Sequence, residues 1–426
     1  MILAVVISLA VLLILGVPVA FALGLSSLIG IVYVGGFSAS HAMADIIWGT
    51  ASEFILVAIP LFVLMSEIIN VSGVGKDLFR SVDKWIGQLP GGIAMSAIVA
   101  GAIFGAVSGT AVGVAAVIGA VAIPEMLKRN YSPEVASGTV AASSGLGMVI
   151  PPSLPLIMYG IVTETSISEL FSKAIIPGIV ITSMFCLYIM LMALFGKNKK
   201  DAGTAVKLHK EDDISFLKSI ALAGPIILLI VAVIGSIYNG IATPTEAAAI
   251  GVVGAVIIAA YKGSLSFSNL FKALTKATKT SGMLLAILAA AMVFSYALSN
   301  AQAPQKVAEM VIAADLSAWT FFIIVMIMLF FMGMLLDAIS LVIIAVPIVF
   351  PTIIMFGFDP VWFGIIIMVN MCFAVITPPV GLSLYVVRDS VPGLKLSQVV
   401  RGTMPFIGIY VLAIVVLSVF PSLVTL

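Results

Sequence analysis

Apolar residues fall into long runs separated by short polar stretches: 2–35, 44–70, 91–124, 134–165, 171–196, 215–237, 241–261, 280–300, 317–357, 361–387 and 402–426. A helix needs about 20 apolar residues to cross a bilayer. Most of these runs match that length, and 2–35 is either one long helix or two broken near Gly16 and Pro18. Two runs do not match. The run 91–124 is interrupted at Ser108-Gly109-Thr110, and the run 317–357 is interrupted around Asp337. Each is too long for one crossing and too short for two. Arms of about 15–20 residues on either side of a small or polar tip predict re-entrant helical hairpins, since each arm falls short of a full span. Irregular backbone at membrane depth survives only inside protein or beside a wet cavity. The two tips are therefore the expected functional centre.

Composition adds that 62% of the 426 residues are hydrophobic and 9% are charged. A soluble domain carries roughly a quarter charged residues, so the chain is read as a polytopic membrane protein. A net charge of +1 gives no case for nucleic acid. Cys186 and Cys372 both lie in apolar runs, which excludes a disulfide framework and fits small core residues. The first run lacks a small-residue cleavage site and is read as a retained helix. There is no Gly-rich nucleotide loop, so energy from ATP would need another subunit.

Basic loops set the orientation. Lys76, Arg80 and Lys84, then Lys128 and Arg129, then the stretch Lys197 to Lys218, then Lys262 to Lys279, and finally Arg388, Lys395 and Arg401 contain all but Lys173 and Lys306 of the 20 basic residues. These loops all face the cytoplasm only if 91–124 and 317–357 return to the side they enter from. The first hairpin then starts inside and the second outside, the pattern of an inverted repeat.

A trace of that repeat is written in the prolines. A shift of 227 residues lays Pro124 on Pro351, Pro133 on Pro360, and Pro151-Pro152 on Pro378-Pro379. Thr110 then falls on Asp337 and Ser143 on Asn370. The plainer explanation is that membrane helices commonly carry proline kinks, but the shared register argues against it. The expected organisation is a first repeat over 1–196, with hairpin 91–124 and broken helix 134–165, and a cytoplasmic linker over 197–218 with surface-helix character. A linking helix and a second repeat over 219–426 follow, with hairpin 317–357 and broken helix 361–387. The fold class is all-α.

Ser132-Pro133 and Asp359-Pro360 read as helix starts, a capping side chain followed by proline at the first helical position. Each helix is then broken by a double proline, which removes amide donors and frees carbonyls. Unpaired carbonyls inside a membrane cost several kcal/mol each. A sodium ion, which prefers oxygen ligands like other hard cations, is the expected partner. Two such sites are expected, one drawn from Ser143, Ser144 and Gly145, the other from Asp337, Asn370, Thr377 and Pro378. The substrate is expected against Ser108, Gly109, Thr110, Pro151, Pro152 and Ser153 on one side and Ser340, Pro379 and Gly381 on the other. The competing explanation is that these small and hydroxyl residues only let helices pack closely.

Asp337 is an intramembrane carboxylate with no basic neighbour in sequence. It is a candidate ion ligand, proton carrier or hydrogen-bond acceptor for the turn. Glu246, within Thr243-Pro244-Thr245-Glu246, reads as part of a capping box. Glu53 and Glu67 sit on one predicted helix without an assigned role, and His41 and His209 are too far apart for a paired metal site. No nucleophile–base arrangement has usable spacing, so an enzyme is not expected. A channel is the main competitor, since polar-tipped hairpins also build pores; a sodium- or proton-coupled carrier working without a binding protein is another.

The motifs together resemble those of the large membrane subunit of tripartite ATP-independent periplasmic (TRAP) transporters. They are Gly16-Val17-Pro18-Val19-Ala20-Phe21-Ala22, Ser108-Gly109-Thr110, Gly147-Met148-Val149-Ile150-Pro151-Pro152-Ser153, Ala242-Thr243-Pro244-Thr245-Glu246-Ala247-Ala248-Ala249, Leu336-Asp337 and Ile376-Thr377-Pro378-Pro379-Val380-Gly381. The resemblance implies a scaffold with a mobile, elevator-type transport domain holding both hairpins and both broken helices. It implies sodium coupling, a small membrane subunit of four helices, a periplasmic substrate-binding protein, and residence in a bacterial inner membrane. The implied substrates are organic acids of the sialic acid or C4-dicarboxylate class, sialic acid being the first choice. An anion suits the positive helix N-termini expected at tips and breaks. No other cofactor is expected.

Overall fold

The computed structural model describes residues 2–195 and 214–425. Most of the expected 197–218 linker lies outside the described residues. The first half contains α1 (Ile2–Ile14), α2 (Val19–Gly35), α3 (His41–Ala51), α4 (Ala58–Ser72), α5 (Val74–Ile86), α6 (Gly92–Ser108), α7 (Ala111–Lys128), α8 (Pro133–Val149), α9 (Leu154–Thr163) and α10 (Ile167–Phe195). The second contains α11 (Phe216–Tyr238), α12 (Pro244–Tyr261), α13 (Phe267–Asn300), α14 (Ala303–Ala313), α15 (Ala318–Gly333), α16 (Ala338–Met355), α17 (Pro360–Ala374), α18 (Leu382–Asp389), α19 (Leu396–Val419) and the terminal turn α20 (Ser422–Thr425). Among the described residues there is no strand, and nine helices are long and apolar enough to cross a membrane.

The 227-residue register extends well beyond the prolines. Helices α1, α2, α4 and α5 recur as α11, α12, α13 and α14, and α6 to α10 recur as α15 to α19. The packing recurs with them. α2 lies on α13 as α12 lies on α4, and α1 pairs with α2 as α11 pairs with α12. After each double-proline break the chain crosses to the other half, so that α9 packs on α16 and α18 packs on α7. The two halves are thus interlocked and not merely adjacent.

The broken helices form the centre. Ala136–Val149 of α8 and Val361–Ala374 of α17 are buried throughout, as expected of helices apolar on every face. Both start as their sequences require: Ser132 accepts from Val135 N at 3.3 Å and Asp359 from Trp362 N at 2.7 Å. Small residues let the backbones approach. A Cβ on Gly402 of α19 would collide with the Glu134 carbonyl of α8, and one on Gly138 would collide with Gly402.

The first run is two helices, separated at Gly16 (φ +77°) and Pro18, one of the two arrangements its sequence allowed. Other elements differ from the sequence reading. The 44–70 run is divided at Ser52-Glu53, so Glu53 and Glu67 lie on separate elements; Glu67 on α4 faces Lys276 at 3.9 Å. The corresponding stretch of the second half is the unbroken α13, which extends back to Phe267 and carries Lys272, Lys276 and Lys279. Two stretches read as polar connections, 74–86 and 303–313, are the helices α5 and α14. α5 is amphipathic, with Val74, Leu78, Phe79 and Val82 buried and Lys76 and Arg80 exposed. A search for long apolar runs passes over such a helix because only one face is apolar.

Candidate functional site

Each interrupted run is a helix–turn–helix unit whose tip is fixed by one residue of the second arm. In the first, Gly109 takes the left-handed conformation (φ +64°) that a side chain disfavours. Thr110 then caps α7, accepting from Gly113 N at 3.2 Å. In the second, Asp337 caps α16, accepting from Ser340 N at 3.0 Å and from the Ser340 hydroxyl through a very short bond. Gly113 and Ser340 are equivalent positions, as are Thr110 and Asp337. One cap is a hydroxyl and the other a carboxylate, and both satisfy amides that a helix start leaves open.

Each tip is stitched to its own broken helix at the break. Leu154 N donates to Gly109 O, and Gly381 N donates to Met334 O, both at 3.4 Å. Leu154 and Gly381 are again equivalent. The first tip also meets α4, where the Ser66 hydroxyl donates to Ser108 O at 3.2 Å. Ser108, Gly109 and Pro152 line a cavity of about 10 Å³ against Phe62 and Met65 of α4, room for about one water and not for an organic acid. The second tip is more open: Leu335 is 62% exposed, Pro379 is exposed and Asp337 is half-buried. Of the predicted residues, Ser108, Gly109 and Pro152 meet at one tight contact; at the second tip Asp337 and Ser340 form the cap and Gly381 bonds to Met334.

The freed carbonyls are largely answered by the protein itself. The Ser153 hydroxyl donates to Met148 O at 2.6 Å, Thr377 to Phe373 O at 2.5 Å, and Ser383 N to Val375 O at 3.3 Å. Ser143 and Ser144 donate to Val140 O (3.0 Å) and Ala141 O (2.7 Å) of their own helix, and Gly145 O accepts from the Cys372 thiol. One oxygen with spare capacity is expected from the sequence and another is not. Asn370 Nδ2 donates to Met326 O at 2.8 Å while its Oδ1 is buried without a partner, and so is the hydroxyl of Ser383, which sequence reasoning missed. Ser143 stands against Gly101 of α6 and Asn370 against Met326 of α15, both about two helical turns before the tips. Ser66 was also missed. Neither serine lies in a motif; each is identified only by what folds against it.

Glu246 behaves as its motif requires. Its carboxylate accepts from Thr243 N and from the Thr243 hydroxyl, both at 2.8 Å, and its role is structural.

Residues 6–423 match the family model described as the DctM component of the tripartite ATP-independent periplasmic transporter. The chain is 32% identical to the C4-dicarboxylate TRAP transporter large permease protein of Vibrio cholerae, covering 96% of this chain and 93% of that one. It is 28% identical to the sialic acid TRAP transporter large permease protein of the same organism, over 96% of this chain and 93% of that one. The fold is similar to the crystal structure of the Alcanivorax borkumensis YdaH transporter, with a TM-score of 0.66, 14% identity, and coverage of 91% of this chain and 89% of that chain. A family match over nearly the whole length, together with two capped helix turns stitched to two broken helices, means that the chain belongs to the DctM-component family of tripartite ATP-independent periplasmic transporters, as a multi-pass membrane permease.

Proposed function

We propose that this permease imports an organic acid of the C4-dicarboxylate or sialic acid class across a bacterial inner membrane, driven by sodium. The acid is handed over by a periplasmic binding protein, and a small four-helix membrane subunit completes the complex. The observation that carries this reading is the paired stitching of tip to break, Gly109–Leu154 and Met334–Gly381, within two interlocked halves. Such a unit has helix N-termini at Ala111 and Ala338 after the tips and at Leu154 and Leu382 after the breaks. Their dipoles favour an anion. Carbonyl, Asn and Ser oxygens beside them suit sodium, with Asp337, Asn370 and Thr377 as the second-site candidates and Ser143, Ser144 and Gly145 as those of the first.

The hairpins are read as re-entrant, entering from opposite faces, and the halves as an inverted repeat. Alternating access then follows from the hairpins and broken helices moving as one body against α2, α4, α11, α12 and α13, an elevator movement. The sealed first tip and the looser second tip agree with one gate shut and the other exposed. The test is reconstitution into proteoliposomes with the small subunit and binding protein, offering labelled succinate and N-acetylneuraminate. Uptake of one acid that requires an inward sodium gradient is expected. Single-channel currents, or accumulation that ignores sodium and the binding protein, would overturn the reading in favour of a channel or an independent carrier.

A further inference from the structure

The packing of the two halves departs from the 227-residue register at one place. In the first half, α6 lies on α8 and also on α10. Small residues let it come close. A Cβ on Gly91, at the start of α6, would stand 2.7 Å from Ile189 of α10, and one on Gly101 would meet Ser143 of α8. In the second half, α15 lies on α17 but stands off from α19. Where α6 has Gly92, Ser96 and Ala100, α15 has Trp319, Ile323 and Ile327, too bulky for the same approach. An open groove of about 590 Å³ is left between α15 and α19, with Asn370 and Phe373 of α17 as its floor.

The two walls run in opposite directions. Trp319 stacks near Trp362, whose indole donates to Leu417 O, and Phe330 lies by Phe373, which lies by Tyr410. The groove follows α15 from Trp319 to Phe330, a length of about 16 Å at 1.5 Å per residue. Asn370 and Ser418 are the only polar residues lining it, and Asn370 turns its amide nitrogen away to the Met326 carbonyl at 2.8 Å. Ile323, Ile327, Val411 and Val415 form a half-exposed rim.

We propose that this groove holds one acyl chain of a membrane phospholipid, which braces the first arm of the second hairpin. The chain fills between α15 and α19 the space that α6 and α10 close by direct contact. At its far end α15 leads to the second tip, where Met334 O accepts from Gly381 N. A helix of another chain is a poorer occupant on two grounds. A helix about 10 Å across would displace about 1,300 Å³ over this length, more than twice the space. Helices in membranes also meet through small residues, and the walls offer only Ser418. A hydrocarbon chain is thin and asks for no polar partner.

The test uses the full chain with its small subunit in nanodiscs of phosphatidylcholine, part of which carries a diazirine at mid-chain. After illumination, adducts are located by peptide mass spectrometry. Met326 is only 8% exposed, yet should be labelled at least as heavily as the exposed Leu187 and Leu191 of α10, the equivalents of Ile414 and Ser418. Ile323→Trp with Val411→Trp fills the groove from both walls. It should lower adducts on Met326 at least about fivefold, the loss expected when one or two buried methylenes are displaced, and leave those on α10 unchanged. If that pair does not fold, Ile327→Phe gives the same reading from one wall. Adducts confined to the rim of the wild type, or undiminished on Met326 in the filled variants, would overturn the proposal. Labelling of Met326 only when the small subunit is left out would assign the groove to a partner helix instead.

Discussion

Cys372 lies 227 residues beyond Gly145, and its thiol donates to the Gly145 carbonyl at 3.0 Å. The two are equivalent positions of α8 and α17, so the halves touch at corresponding points. A two-fold relation between halves produces such a contact only where its axis passes. Space there is small: a Cβ on Gly145 would stand 3.0 Å from Cys372 Cβ and 3.1 Å from its carbonyl oxygen, with the Tyr410 hydroxyl closer still. Gly145→Ala should therefore destabilise the protein by about 1–3 kcal/mol through overpacking. Adding Tyr410→Phe removes the nearest oxygen and should recover part of the loss. Thermal unfolding in detergent measures both, and a Gly145→Ala protein melting with the wild type would sink this account of the crossing.

Asp337 caps α16, a task that asparagine also performs well. Asp337→Asn should therefore change stability by less than about 1 kcal/mol. If the carboxylate also serves the ion, sodium-driven uptake should fall at least about tenfold, a loss of about 1.4 kcal/mol or more in coupling. Wild-type sodium dependence in this variant would confine Asp337 to capping.

The Ser66–Ser108 bond joins α4 to the first tip. If that tip moves during transport, Ser66→Cys with Ser108→Cys should arrest uptake on oxidation and restore it with a reductant. Each single variant should transport with or without oxidant. Full uptake by the oxidised pair, with the crosslink verified by mass, would mean that the tip stays against α4 throughout the cycle.

At the end of the first hairpin away from its tip, burial pushes the Asp83 carboxyl above its ordinary value of 3.8, and Arg129 offsets this only in part. Arg129→Ala should cost about 3–5 kcal/mol by stranding the carboxylate, and adding Asp83→Asn should return most of it. The raised value also fixes the sign of a pH effect. A carboxyl that binds its proton more tightly when folded favours folding once protonated. As pH falls from neutral through the raised value towards 3.8, the wild type should gain stability relative to Asp83→Asn. A difference that is flat with pH, or that shrinks, would contradict the burial argument.

Glu246 offers a contrasting expectation. Glu246→Ala removes the acceptor of the Thr243 amide and hydroxyl, and should lower stability by about 0.5–2 kcal/mol. Transport per folded molecule should be unchanged, read as initial uptake normalised to the monodisperse fraction.

Much of this molecule was legible in the chain. The small and polar tips at Gly109-Thr110 and Asp337 located both helix–turn–helix units, because such residues open a turn and cap the helix that follows; arm length did not, since α7 and α16 are each long enough to cross a membrane. The prolines at 151–152 and 378–379 located both breaks, and Ser132, Asp359 and Thr243 located helix starts, because proline and capping chemistry act within a few residues. Local rules of this kind need no partner. They failed where the apolar signal was one-sided, in α5 and α14, and where a helix ran on past its apolar stretch, in α13.

What the sequence by itself determined was therefore the set of interruptions and the 227-residue register that relates them. Only the tertiary structure decided what each interruption touches. The meeting of Gly145 with Cys372, the crossing of α9 to α16 and of α18 to α7, and the answering of Met148 O by Ser153 depend on which carbonyl or surface each segment finds once packed. The same is true of the oxygens of Asn370 and Ser383 left unpaired. A buried polar atom is satisfied or stranded by neighbours far away along the chain, and spacing in one segment carries no record of them.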